Sequence, residues 1–235
     1  MGRLDARSST ELLLNRMNTG SEKYLAISGG VGGAKLALGL SHILHDSQLT
    51  VIANTGDDFE HFGLHISPDI DTLLYTLADL NNIELGWGRR DEGWNFAEAS
   101  AQLGMDTWFK LGDKDLAIHI YRSNRLAAGA SLSQVVSELC ARLNLKADIV
   151  PMTDAAVRTM VECELGTLPF QEYFVRNRCE PRVREIRFDG IEKARPSEAF
   201  LSCLDDEKLQ AIIICPSNPF LSVQPILSLP GLKRQ

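Results

Sequence analysis

Tyr24-Leu25-Ala26-Ile27-Ser28-Gly29-Gly30-Val31-Gly32-Gly33-Ala34-Lys35 runs from an apolar stretch through four glycines in five positions into a helical pattern, and it decides the fold. The apolar run predicts a strand. Leu36, Leu40, Ile43 and Leu44 recur at helical spacing over Lys35 to His45, and Leu49 to Ala53 reads as a second strand. Strand, helix and strand make a βαβ unit, whose strand pair is expected to be parallel with a right-handed crossover. Between strand and helix, the loop from Ser28 to Gly33 offers backbone N–H groups and a helix dipole, the usual ingredients of a phosphate site. A tight turn without a ligand needs only one or two glycines. Lys35 stands where a dinucleotide fingerprint needs its third glycine, and no Gly-Lys-Ser/Thr occurs, so neither familiar nucleotide loop is matched.

Working outward, Ser67-Pro68 predicts a helix start, with Ile70, Leu73, Leu74, Leu77 and Leu80 as its apolar stripe. Leu103 to Leu111 and Leu116 to Leu126 read as helical pieces around a Gly112-Asp113 turn. Ser131 with Gln134 predicts a capping box that opens a helix carrying Leu132, Val135, Val136, Leu139 and Leu143. Asp148 to Val150 reads as a strand, Phe170 to Phe188 as a β-hairpin or strand pair, and Ala211 to Cys215 as a buried strand. The fold class expected is α/β and Rossmann-like, a mostly parallel sheet with helices on both faces. Residues 1–22 read as a flexible leader with at most a short helix. Residues 23–235 read as the domain, with a helical and β-hairpin insertion at about 85–190.

At 235 residues with 44% hydrophobic content, the chain suffices for a sizeable core. A net charge of -7 argues against a nucleic-acid partner. Five scattered cysteines suggest neither a disulfide framework nor a metal-binding pair, which fits a reducing cytoplasm. No apolar run reaches the length of a membrane helix, and no secretory signal pattern opens the chain.

Asn54-Thr55-Gly56-Asp57-Asp58 ends the second strand, which puts carboxylates at the carboxyl edge of the sheet beside the glycine loop. Asp71 follows in the first turns of the next helix. Asp57 and Asp71 converging near phosphates suit Mg2+, whereas Asp69 is read as complementing the helix dipole. Trp108 to Asp115 mixes aromatic, cationic and acidic groups suited to a planar ligand, although Asp113 is equally readable as a helix cap. Pro216-Ser217-Asn218-Pro219 is a rigid loop at the same sheet edge, readable as a ligand contact or as a plain turn. His61 and His65 flank Gly63 without a third ligand nearby, which speaks against zinc.

Together these motifs resemble the 2-phospho-L-lactate transferase family of coenzyme F-420 biosynthesis. The resemblance is colinear from about Tyr24 to Gly231. It takes in the glycine loop, Asn54 to Asp58, Ser67 to Thr72, Gly86-Trp87-Gly88, Leu111 to Ala117, Phe170-Gln171-Glu172, Pro216 to Pro219 and Leu229-Pro230-Gly231. It implies transfer of a phosphorylated three-carbon acid from a guanosine diphosphate-linked donor to the deazaflavin Fo, with GMP leaving, Mg2+ required and a homodimer as the assembly. Carried over by position, Asp57 and Asp71 are the metal and catalytic carboxylates, and Lys110 contacts the deazaflavin. Gly29, Gly30, Val31, Gly32, Gly33, Lys35, Asn54, Asp58, Asp113, Ser217 and Asn218 complete the expected substrate-binding set.

Two departures stand out. Thr153-Asp154-Ala155-Ala156 follows Pro151-Met152 where the family carries two acidic residues and a proline, and family members continue beyond the Leu-Pro-Gly segment, so the fold is expected to be C-terminally incomplete. Three other readings compete with an active transferase: a non-catalytic nucleotide-binding protein of the same fold, an inactive fragment, and an NAD(P)-dependent oxidoreductase. Lys35 at the third glycine position and the lack of an acidic residue directly ending the second strand place the oxidoreductase last.

Overall fold

The computed structural model describes residues 21–232, so most of the expected leader lies outside the described residues. Four parallel strands form the central sheet in the order β5-β2-β1-β9: β1 (Lys23–Ser28), β2 (Leu49–Ala53), β5 (Asp148–Pro151) and β9 (Leu209–Ile214). Alternation along each strand splits the core into two layers. Tyr24, Ala26, Val51 and Ile149 face one layer with the helices α1 (Gly30–Ile43), α2 (Pro68–Leu77) and α5 (Leu132–Arg142). Leu25, Ile27, Ile52 and Val150 face the other, where Phe200 of α6 (Glu198–Leu204) and Ile226 of α7 (Gln224–Leu227) cover them. The α/β architecture with helices on both faces is therefore observed.

Because all four strands point the same way, the segments after Ser28, Ala53, Pro151 and Ile214 emerge at one edge. Five further strands lie outside the central sheet, and two further α-helices complete the described set. A hairpin of β3 (Phe59–His61) and β4 (Leu64–Ile66) follows the Asp57-Asp58 loop. Helix α3 (Asn95–Gln102) and helix α4 (Asp115–Ala127) come next, and β6 (Arg158–Cys163) is the centre of an antiparallel sheet between β7 (Gly166–Pro169) and β8 (Val183–Asp189). Within the stretch 85–190, β5 and α5 belong to the central layers, while β6 to β8 form their own sheet. Among the described residues, no helix is long and apolar enough to cross a membrane.

Four local expectations are corrected. Helix α1 begins at Gly30 rather than Lys35, so most of the glycine loop is the first helical turn. Gly30 tolerates this entry at φ +64, a left-handed conformation that side chains disfavour. Leu103 to Leu111 is irregular; the helix lies before it, at α3. The stretch Phe170 to Phe188 contains a single strand, β8, after a π-helical turn at Glu172–Arg176, and β6 between its two neighbours is an additional strand. Finally, β9 is not buried: it is an edge strand, with Ile212 49% and Ile214 58% exposed. Its four consecutive apolar residues, Ala211 to Ile214, pair with β1 on one side only.

Candidate active site

Asn54, fully buried where β2 ends, organises the loop that follows. Its carbonyl oxygen accepts from the Gly56 amide at 2.9 Å. Its Nδ2 donates to Asp69 at 2.9 Å, to Asp57 at 3.2 Å and to the Leu221 carbonyl at 3.3 Å. One amide thus ties two buried carboxylates together across the gap between the β2 loop and α2. Burial pushes the Asp57 carboxyl well above the usual range, and the negative charge of Asp69 adds to it. Burial likewise pushes Asp69 up to about 6, against hydrogen bonds from Asn54 and from the Gly30 backbone that pull it down.

The Gly30 contact joins this pair to the start of α1. Asp69 takes the Gly30 amide, and Gly29, the N-cap residue, has no side chain to cap those that follow, so the next amides of the first turn are the ones left for an anion. The glycines here also answer to packing: a Cβ on Gly32 would overlap the Pro216 carbonyl oxygen, and one on Gly33 the hydroxyls of Ser28 and Ser217. The Gly29 amide already donates to Ser217 Oγ at 3.1 Å, fixing the loop after β9 against the loop after β1. Asn218 caps the next segment by accepting from the Phe220 and Leu221 amides at 3.0 and 3.1 Å. Val31 and Lys35 are exposed near the same helix end.

On the other side of Asp57 opens a cavity of about 310 Å³, walled by Phe59, His61, Trp108 and Phe170 as well as by Asp57 and Asp58. Phe59 meets Phe109 edge-on at 4.8 Å between centroids and lies 5.7 Å from Trp108, which stiffens that aromatic wall.

The expected convergence of Asp57 with Asp71 is not the one found. Asp71 is paired with Arg122, a fully buried guanidinium, through both of its oxygens, and lies 3.6 Å from His119. Arg122 also donates to the His65 carbonyl at 3.2 Å, and His119 lies 3.3 Å from Asp115, which accepts from Tyr75. This network sits behind the loop rather than in it. Asp69, read from sequence as a dipole partner, is the neighbour of Asp57 instead. Asp58 accepts from Ser67 and from His65, each at 3.0 Å, so the Ser67 hydroxyl serves Asp58 rather than capping α2.

Two more expected contacts are engaged elsewhere. Asp113 accepts from the Asn95 and Phe96 amides and terminates α3 at its N-terminal end. Lys110 is exposed, with its ammonium 6.0 Å from the Trp94 ring. Asp154, the one carboxylate in its loop, accepts from the Ser133 amide at the start of α5. Sequence reading takes the half-buried Asp115 only as the end of the Trp108 to Asp115 stretch and passes over the buried His119 and Arg122, although the spacing of four and three along one helix is a legible sign of a polar stripe.

No group of three metal-ligating side chains occurs among the described residues. Mg2+ does not require one, since it is commonly held by one or two carboxylates with substrate phosphates and water. Asp57 and Asp69 fit such an ion: hard oxygen donors, buried together, with the charge of Asp69 adding to the cost of ionising Asp57.

Residues 25–235 match the family model described as 2-phospho-L-lactate transferase CofD. A phosphoenolpyruvate transferase of Streptomyces coelicolor is 40% identical over 216 residues, covering 90% of this chain and 67% of that protein. A 2-phospho-L-lactate transferase of Methanosarcina mazei is 40% identical over 209 residues, covering 89% and 68%. The chain thus spans about two thirds of the length of the curated relatives it matches. A Bacillus halodurans protein of known structure superposes with a TM-score of 0.61 at 17% identity, over 90% of this chain and 64% of that one, a likeness of fold.

Proposed function

The chain belongs to the 2-phospho-L-lactate transferase CofD family, and from that membership we propose that it transfers a phosphorylated three-carbon acid from a guanosine diphosphate-linked donor to the deazaflavin Fo, releasing GMP. One observation carries the reading: Asp57 stands at the joint between the aromatic-walled cavity and, through Asn54 and Asp69, the uncapped glycine-rich start of α1. A planar acceptor suits the cavity, and a diphosphate suits the helix end.

In this arrangement the first-turn amides of α1 hold donor phosphate oxygens, with Lys35 one turn further along and the Ser217-Asn218 loop closing the other side. Phosphoryl-centred transfer asks a protein mainly for alignment and charge neutralisation. The acceptor hydroxyl forms a bond to the phosphorus that carries the three-carbon acid, the bridging P–O bond breaks, and the electron pair leaves with GMP. Asp57, where the cavity meets the phosphate end, is the carboxylate placed to take the hydroxyl proton. Mg2+ held by Asp57 and Asp69 would supply neutralisation of the diphosphate charge. Asp71 contributes from behind, where its pairing with Arg122 anchors α2 to α4 and so fixes the helix that presents Asp69.

The relatives' names divide between phosphoenolpyruvate and 2-phospho-L-lactate at equal identity, so the assay compares phospholactyl, phosphoenolpyruvyl and phosphoglyceryl donors. GMP release dependent on Fo, donor and Mg2+ together, and lost in Asp57→Asn, is the result expected. Nucleotide binding without release from any donor would instead favour the non-catalytic reading.

A further inference from the structure

The cavity beside Asp57 carries more information than its shape. Three residues that line it each hold a buried polar atom with no hydrogen-bond partner: His61 Nε2, Thr159 Oγ1 and Asp58 Oδ1. Buried polar atoms are rarely left unpaired, and three against one cavity mark positions that a bound molecule completes. None of the three belongs to the phosphate end of the site. His61 and Thr159 are 7% and 1% exposed, held by β3 and β6 respectively, so their positions are set by strands rather than by a loose loop. The Thr159 amide donates to the Gly56 carbonyl at 2.7 Å, which locks β6 to the loop that carries Asp57.

The chemistry of His61 defines what it accepts. Burial pushes its imidazole below the usual histidine range, leaving the ring neutral. A neutral ring carries one proton, and the tautomer protonated on Nδ1 leaves the unpartnered Nε2 without it. Nε2 is left as a lone-pair acceptor. Thr159 offers a hydroxyl that donates or accepts, and Asp58 offers an acceptor only.

We infer that His61 and Thr159 are specificity-determining residues that read the edge of a planar heterocycle, His61 accepting from a ring N–H and Thr159 donating to the carbonyl beside it. The inference rests on the transferase reading above, in which Fo is the acceptor, because a pyrimidinedione edge presents that N–H flanked by carbonyls. Phe59 and Trp108, 5.7 Å apart in one wall, offer a surface to one ring face, and the edge contacts choose among rings of similar size.

Isothermal titration of the full chain with Fo, and with Fo methylated on the pyrimidinedione nitrogen, tests this. His61→Phe keeps an aromatic ring and removes the acceptor, so Fo binding weakens about tenfold. Methylated Fo binds the unaltered chain about tenfold more weakly and loses nothing further in His61→Phe, since both changes delete one bond. Thr159→Val weakens Fo several-fold and supplies a second reading should His61→Phe fail to fold. Losses from methylation and from His61→Phe that simply multiply overturn the inference while leaving the transferase reading intact. Failure of Fo to bind the unaltered chain overturns both.

Discussion

Asp57→Asn is expected to make the protein more stable while removing its activity. Asp69 is pushed up from 3.8 to about 6 by burial, and at 1.36 kcal/mol per pH unit this corresponds to about 3 kcal/mol of cost when it is ionised in the folded chain. Asp57 is displaced in the same direction and feels Asp69 directly. For acids raised in this way the folded state holds more protons than the unfolded one, so stability falls as pH rises. The loss is absent below about pH 4, where both states are protonated, and grows as pH climbs through 6. Asparagine at position 57 keeps an oxygen for the Asn54 amide and discards the charge. The variant should therefore gain about 1–3 kcal/mol over the parent at pH 8 in chelator, and nothing at pH 4. Urea unfolding followed by circular dichroism reads both values. Adding Mg2+ should stabilise the parent and leave the variant almost unmoved, because only the parent keeps both carboxylates. A variant less stable than the parent at pH 8, or a difference equal at both pH values, refutes the reasoning.

Three further outcomes follow from the packing. Arg122→Met strands the buried Asp71 carboxylate, at a cost of about 3–5 kcal/mol and a fall in melting temperature of roughly 10 °C by calorimetry. Gly32→Ala drives a Cβ into the Pro216 carbonyl, and should lower both melting temperature and nucleotide affinity, with a stability loss of about 1–3 kcal/mol. Gly39→Ala serves as its control: nothing lies within 4 Å of the added carbon in the same helix, so it should stabilise by about 0.5–1 kcal/mol in the same melts.

The parallel sheet was legible because β1, β2 and β5 are short apolar runs bounded by glycine, asparagine and proline, and because the βαβ rule fixes how two of them pair. The edge position of β9 was not, since a run of apolar residues reads alike whether one flank or two are covered. Strand β6 alternates buried with half-buried positions, but its Arg158, Met160 and Glu162 face dilutes the pattern. At the site, the glycines and Asp57 were recognisable from order along the chain. The choice between Asp69 and Asp71 was not: two residues apart in a helix they point about 200° from one another, and only tertiary packing decides which faces Asn54. Arg122 could not be placed from sequence because its partner stands 51 residues away.

The central claim is that Asp57 joins a donor-phosphate site to an acceptor cavity, and GMP release measures it most directly. With purified full chain, Fo, Mg2+ and the three guanosine diphosphate-linked donors assayed in parallel, at least one donor should yield GMP in step with consumption of Fo, and Asp57→Asn should yield none. Folded protein that binds Fo and donor yet releases no GMP, or an Asp57→Asn variant that turns over at the parental rate, contradicts the account.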